Sequence, residues 1–320
     1  MKRKALLPFL FTLITLGTFS NTAYGQSSQD RQRQPKVRTV SIPISIFTKT
    51  ELREGQLSEI LDASRLMVRE NGDEQAILSI RSVDDAPLSL AILIQEDLSS
   101  SFNLQLSDLG SFIRGLPKGS RVMVAYLRGG SLQLRQKFTD DLDLAARSLR
   151  IVSSNEGSAP RSPFEGVIDA LNRFDALPAG RRAILLISDG LDVSQGVAGS
   201  SPTQSIDLDR AILRAQRRSV AVFSFYSPAS LTSRDNSTLI LNGQGSLLKL
   251  SDETGGRAFF QGTLAPISFE PFFRDLRLLL NRQFLLTYLS THMRKGYYRI
   301  EVTSTNPEVK IEHPRGYYYR

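Results

Sequence analysis

Apolar and polar positions change rhythm three times along this chain. In residues 37–47, Val37, Val40, Ile42, Ile44 and Phe47 recur among polar neighbours, the pattern of a half-buried strand. Residues 64–83 read as two strands around Glu70-Asn71-Gly72-Asp73, because an Asn-Gly pair tolerates the positive φ of a tight hairpin turn. Residues 37–85 are thus a β-rich unit.

From Pro87 the rhythm alternates between strand and helix. LSLAILI (88–94) is continuously apolar, as a strand buried on both faces is. Phe102, Leu106, Leu109, Ile113 and Leu116 then fall on one helical face. RVMVAYL (121–127) and SLQLRQKF (131–138) read as strands joined by a Gly129-Gly130 turn. Phe164, Val167, Ile168, Leu171 and Phe174 form a second helical face, and RRAILLIS (181–188) a second buried strand. Leu208, Ala211, Ile212 and Ala215 mark a helix before strand VAVFSFY (220–226). A polar loop (227–245), a short helix (246–254) and a strand (257–262) follow, and Phe269, Phe272, Phe273, Leu276, Leu279 and Leu280 predict the last helix. Such alternation predicts an α/β fold: a doubly wound, mostly parallel sheet with helices on both faces over residues 86–282.

The final stretch, 283–320, returns to strands at 284–290, 296–304 and 309–313. Its tyrosines suit half-buried strand positions better than a base-stacking surface. This segment and residues 37–85 flank the α/β core and are expected to pair into a small β-rich module, as one sandwich.

The first residues read as an address. Lys2, Arg3 and Lys4 precede a short apolar run (5–19), and Ala23-Tyr24-Gly25 places small residues before a cut at Gln26. The run falls short of the roughly 18–20 residues that span a bilayer, so residues 1–25 are read as a cleaved signal peptide and 26–36 as a polar linker. The chain is expected to be exported to the periplasm or beyond, with no transmembrane segment in its mature form.

Composition narrows the chemistry. The 320 residues carry a net charge of +8, of which Lys2, Arg3 and Lys4 supply three; export makes nucleic acid an unsuitable partner. There is no Cys, and His292 and His313 both lie near the C-terminus. That excludes thiolate chemistry and leaves oxygen ligands and hard cations for any metal site. No Gly-x-Ser-x-Gly elbow or phosphate-binding glycine loop appears, so an enzyme is not expected.

Candidate chemistry gathers where two buried strands end. Asp97, Ser99 and Ser101 follow strand 88–94, and Asp189 follows strand 181–188. Ligands in open parallel sheets bind at such carboxyl ends. Ser162, ahead of the helix at Phe164, adds a third hydroxyl. Each serine has an alternative reading as a helix N-cap. Together, three hydroxyls and two carboxylates suit Mg2+, with Mn2+ or Ca2+ as alternatives. Glu96 is expected to face solvent and Asp192 to be an exposed loop acid; a place in the metal site's outer shell is the other reading of each.

The spacing Asp97-x-Ser99-x-Ser101, a later hydroxyl, and Ser188-Asp189-Gly190 resembles the metal-ion-dependent adhesion site of the von Willebrand factor type A domain. The wider arrangement is similar to the acidobacterial von Willebrand factor A-related family, through Ala86-Pro87-Leu88, Thr254-Gly255-Gly256-Arg257 and Arg315-Gly316-Tyr317-Tyr318. The resemblance implies a doubly wound sheet with one antiparallel edge strand, a place SLQLRQKF fits. It implies that Ser99, Ser101 and Ser162 bind the metal directly, with Asp97 and Asp189 acting mostly through water. An acidic residue of a protein partner would take the open coordination position. Two departures stand out: Ser162 occupies a position usually held by Thr, and Gln95-Glu96 stands where apolar residues are usual. The sequence therefore predicts an exported binding module. The alternatives are a structural component of the cell envelope with a degenerate site, or a metal-dependent hydrolase.

Overall fold

Eight consecutive buried positions make Leu88–Gln95 the central strand of a six-stranded sheet. The computed structural model describes residues 36–48, 66–82 and 87–319, apart from 130, 156, 158, 179, 233–235, 263–265 and 308. The signal peptide and nearly all of the polar linker lie outside the described residues. In chain order the strands are β1 Arg38–Thr48, β2 Leu66–Glu70, β3 Asp73–Arg81, β4 Leu88–Gln95, β5 Arg121–Arg128, β6 Ser131–Thr139, β7 Arg181–Ser188, β8 Val220–Tyr226, β9 Ala258–Phe259, β10 Gln283–Ser290, β11 Gly296–Ser304, β12 Val309–Glu312 and β13 Gly316–Tyr319. The helices are α1 Leu106–Arg114, α2 Leu142–Arg147, α3 Pro163–Arg173, α4 Ile206–Arg217, α5 Ser237–Thr254 and α6 Glu270–Asn281.

The core sheet runs β6-β5-β4-β7-β8-β9. All its pairings are parallel except β5–β6, so SLQLRQKF is the antiparallel edge. Side chains of β4 alternate between two cores, as the pleat requires. Leu90, Ile92 and Ile94 pack with α1 and α6 on one face; Ala91 and Leu93 pack with α3, α4 and α5 on the other. The order reverses between β4 and β7, and a crevice opens there beyond the strand ends. Register sets Ile94 beside Ile187, so Asp97 and Asp189 leave the sheet at neighbouring points.

The flanking strands do pair with each other, in a single sheet rather than a sandwich. They form one seven-stranded antiparallel sheet, β12-β1-β10-β3-β2-β11-β13. Its two edge strands, β12 and β13, are separated by only His313, Pro314 and Arg315. So short a link between opposite edges requires the sheet to roll upon itself. Val40, Ile42, Ile44 and Ile46 of β1 fill the inside of the roll with Leu286, Tyr288, Ile300 and Val302. A single apolar face that closes on itself needs no second sheet. The rolled sheet and the α/β core belong to one compact unit, Lys36–Arg320.

Three local expectations change. The second half of the polar stretch before residue 246 is helix: α5 begins at Ser237, with Asn236 Oδ1 accepting from Leu239 N–H at 3.2 Å. The strand expected at 257–262 is two residues long. A 3-10 helix, Ser100–Gln105, precedes α1. Gly243 explains the first change. A Cβ there would lie 2.1 Å from the Asp189 carbonyl oxygen, so only glycine lets α5 pass so close to the loop after β7. Gly190, at φ +70°, meets the same helix from the other side.

Alanine normally stabilises a helix interior relative to glycine. Here Gly243→Ala is expected to lower stability by about 1–3 kcal/mol through overpacking, measured by urea unfolding.

Candidate metal-ion site

The loop after β4 carries Asp97, Ser99 and Ser101, and the loop after β7 carries Asp189 and Asp192. Backbone hydrogen bonds fix both loops. Ser99 N–H donates to Pro228 O at 2.9 Å, and Val193 N–H donates to Arg161 O at 2.8 Å. The second bond sets the residue before Ser162 against the Asp189 loop.

Gln95 ties the two strand ends together. Its Nε2 donates to Asp97 Oδ1 at 2.8 Å, while its Oε1 accepts from Ser188 Oγ at 2.5 Å and from Asp189 N–H at 3.3 Å. The remaining carboxylate oxygens meet the loop after β8. Ser230 donates to Asp97 Oδ2 through its hydroxyl and, at 3.3 Å, through its N–H. Thr232 Oγ1 donates to Asp189 Oδ2 at 3.1 Å, and Leu191 N–H donates to Asp189 Oδ1 at 3.1 Å. Burial, and next the charge of Asp97, push the Asp189 carboxyl up from 3.8 to about 7.

The serines do not behave as caps. Ser99 precedes the 3-10 helix without a side-chain cap bond and instead shares a 2.7 Å hydrogen bond with Ser101 Oγ. Ser162 precedes α3, again without capping it. Its side chain is 2% exposed, and its Oγ is buried with no hydrogen-bond partner. A buried hydroxyl in that state costs about 1–3 kcal/mol.

Glu96 and Asp192 both differ from expectation, because both are buried. Glu96 N–H donates to Leu127 O, continuing the sheet, and its carboxylate pairs with Arg150 Nη2 at 2.8 Å. The Arg150 guanidinium lies over the Tyr126 ring at 4.3 Å. Asp192 accepts from Ser194 N–H at 2.9 Å and from the Ser205 hydroxyl. Ser205 in turn caps α4, its Oγ accepting from Leu208 N–H at 3.0 Å. Asp192 therefore anchors a helix start.

Gln95, Ser230 and Thr232 were not singled out from sequence as members of the site. The placement rule that found Asp97 and Asp189 also applies to the residues after β8, which end in the same crevice. Among the described residues, no three His, Cys, Asp or Glu side chains gather in a metal-ligating group; the donors here are two carboxylates and three hydroxyls.

A mostly parallel sheet with SLQLRQKF as its antiparallel edge is what the resemblance to the von Willebrand factor type A domain implies. Such domains are among the solved structures to which this chain is similar. One is a von Willebrand factor type A protein from Catenulispora acidiphila, at 12% identity over 90% of this chain and 74% of that one, with a TM-score of 0.42. Another is an aerotolerance-related membrane protein from Bacteroides fragilis, at 11% identity over 61% and 98%, with a TM-score of 0.42. A third is the manganese-loaded TRAP protein of Plasmodium vivax, at 9% identity over 78% and 97%, with a TM-score of 0.39. No family's sequence model and no curated protein matches the chain.

Between pH 3.8 and about 7, folded Asp189 holds a proton that the unfolded chain has released. Its contribution to stability is thus greatest below pH 3.8 and is lost as pH rises through about 7. In EDTA, the melting temperature of Asp189→Asn relative to the unmodified chain is expected to increase steadily over this range. Thermal melts at successive pH values check it.

Proposed function

We propose that this chain is a protein-binding module that captures an acidic residue of its partner through a divalent cation, Mg2+ or Mn2+. Ser99, Ser101 and Ser162 would hold the ion through hydroxyl oxygens, with Asp97 and Asp189 supplying the charge, largely through water. The ion would supply an electrophilic position for a carboxylate from outside. The observation that carries the reading is the Ser162 hydroxyl, which is buried, caps nothing and has no hydrogen-bond partner. The raised Asp189 carboxyl agrees with it, because two buried like charges favour a cation beside them.

Capture suits the site better than catalysis. Both histidines stand in the rolled sheet, His292 after β10 and His313 after β12, leaving no imidazole beside Asp97 or Asp189 to move a proton. Among the described residues no helix is long and apolar enough to cross a membrane. We take residues 1–25 to be an export signal, which would place the module in the periplasm or outside the cell.

A second reading follows from Gln95, Ser230 and Thr232. Together with Leu191 N–H, their hydrogen bonds already occupy the oxygens of both carboxylates. A site closed in this way would belong to a structural part of the cell envelope that needs no ion.

Calorimetric titration of Mg2+ and Mn2+ separates the two. Saturable binding is expected in the unmodified chain, lost in Asp97→Ala and at least tenfold weaker in Ser162→Ala. Absent heats, or equal heats in all three proteins, would favour the closed site.

A further inference from the structure

Tyr226 ends β8 beside the candidate site, and nothing in the core calls for its hydroxyl. The ring packs on the α3, α4 and α5 face of the sheet, in one apolar cluster with Ile240 and Leu247. Phenylalanine would fill that place equally well. The side chain is fully buried, and its oxygen has no hydrogen-bond partner among the described residues. A buried tyrosine oxygen usually finds one. Tyr126, near the same edge of the sheet on β5, obeys that rule. Its hydroxyl donates to Arg150 O at 2.7 Å and accepts from Arg150 N–H at 2.8 Å.

Tyr226 stands next to the Asp189 loop. Parallel register sets it level with Ser188, and Ser227 N–H donates to Ser188 O at 3.1 Å. The turn at Gly190 lies against Leu247, which shares its apolar cluster with the Tyr226 ring. Ring and turn thus meet on one face of the sheet. Burial, and next the charge of Asp189, push the Tyr226 hydroxyl up to about 12, so it keeps its proton at neutral pH.

The polar groups around the loop are already committed. Asp189 Oδ1 accepts from Leu191 N–H and Oδ2 from Thr232 Oγ1, while Thr232 Oγ1 itself accepts from Ala229 N–H at 2.9 Å. Ser162 approaches the same loop from the start of α3, and its hydroxyl is also buried without a partner. Two orphaned hydroxyls, carried by separate elements, therefore flank one carboxylate loop.

We infer that Tyr226 is a positioning residue of the cation site, its hydroxyl holding the water through which Asp189 faces the ion. The inference rests on the proposed metal-dependent capture and adds to it a residue outside the Asp-x-Ser-x-Ser pattern. Without the ion the buried oxygen lowers stability; with the ion it fixes a water and tightens binding.

Tyr226→Phe removes only that oxygen and tests the inference in the full chain, beside the unmodified protein, Tyr126→Phe and Asp97→Ala. Three quantities are measured: Mg2+ affinity by calorimetry, melting temperature in EDTA, and the near-ultraviolet tyrosine difference spectrum on adding Mg2+. Tyr226→Phe is expected to melt higher in EDTA and to bind Mg2+ about tenfold more weakly. It is also expected to lose the difference spectrum, which Tyr126→Phe keeps. A tyrosine with a merely structural role would change the melting temperature alone. Unchanged Mg2+ affinity in Tyr226→Phe overturns the inference, and so does a difference spectrum that survives in it. A lower melting temperature in EDTA also overturns it, because the oxygen would then be satisfied without the ion. If the unmodified chain binds Mg2+, Asp97→Ala does not, and Tyr226→Phe binds as tightly as the unmodified chain, metal capture stands and only the role of Tyr226 falls. If the unmodified chain binds no Mg2+, both fall.

Discussion

Parallel register forces two carboxylates to one edge of a sheet. With β4 and β7 adjacent and Ile94 level with Ile187, the chain leaves both strands at the same height and carries Asp97 and Asp189 into the same crevice. Both are buried, so neither charge is shielded by bulk water. The surroundings answer this constraint. Gln95 spans the two strand ends, the loop after β8 sends Ser230 and Thr232 to the outer oxygens, and the Asp189 carboxyl rises to about 7. Each of these contacts removes or dilutes one part of the repulsion.

Helix α5 is held by the same edge. Gly190 leaves the Asp189 turn in the left-handed region, and Gly243 allows the helix to lie directly on that turn. The helix thus backs the carboxylate loop with main chain. Glu96 and Arg150 support the opposite side, where the guanidinium packs on Tyr126 and its ion pair replaces the solvent Glu96 would otherwise need.

Much of this was legible in the sequence, for physical reasons that can be named. The alternation of buried strands and amphipathic helices gave the α/β core, and the strand-end rule brought out Asp97 and Asp189. Helix α5 was half hidden because Gly243 and Gly245 read as loop residues, whereas their purpose is close approach to other parts of the chain. Glu96 read as exposed because its partner Arg150 is 54 positions away. Whether Ser162 caps a helix is a matter of side-chain geometry that spacing alone does not reveal. The rolling of the flanking sheet escaped for a similar reason, since it depends on which strands end up at the edges.

The α/β core enters from β3 and leaves into β10, and these two strands are antiparallel neighbours in the rolled sheet. Topologically the core is an enormous hairpin loop. Arg38 of β1 reaches the carbonyl of His292, 254 positions further along. During synthesis, strands β1 to β3 must wait for the entire core before β10 arrives, with edges that are open templates for other chains. Pairing over such sequence distances is intrinsically slow. The assembly of the rolled sheet is therefore governed by strands β10 to β13, and its most vulnerable moment comes just before they emerge.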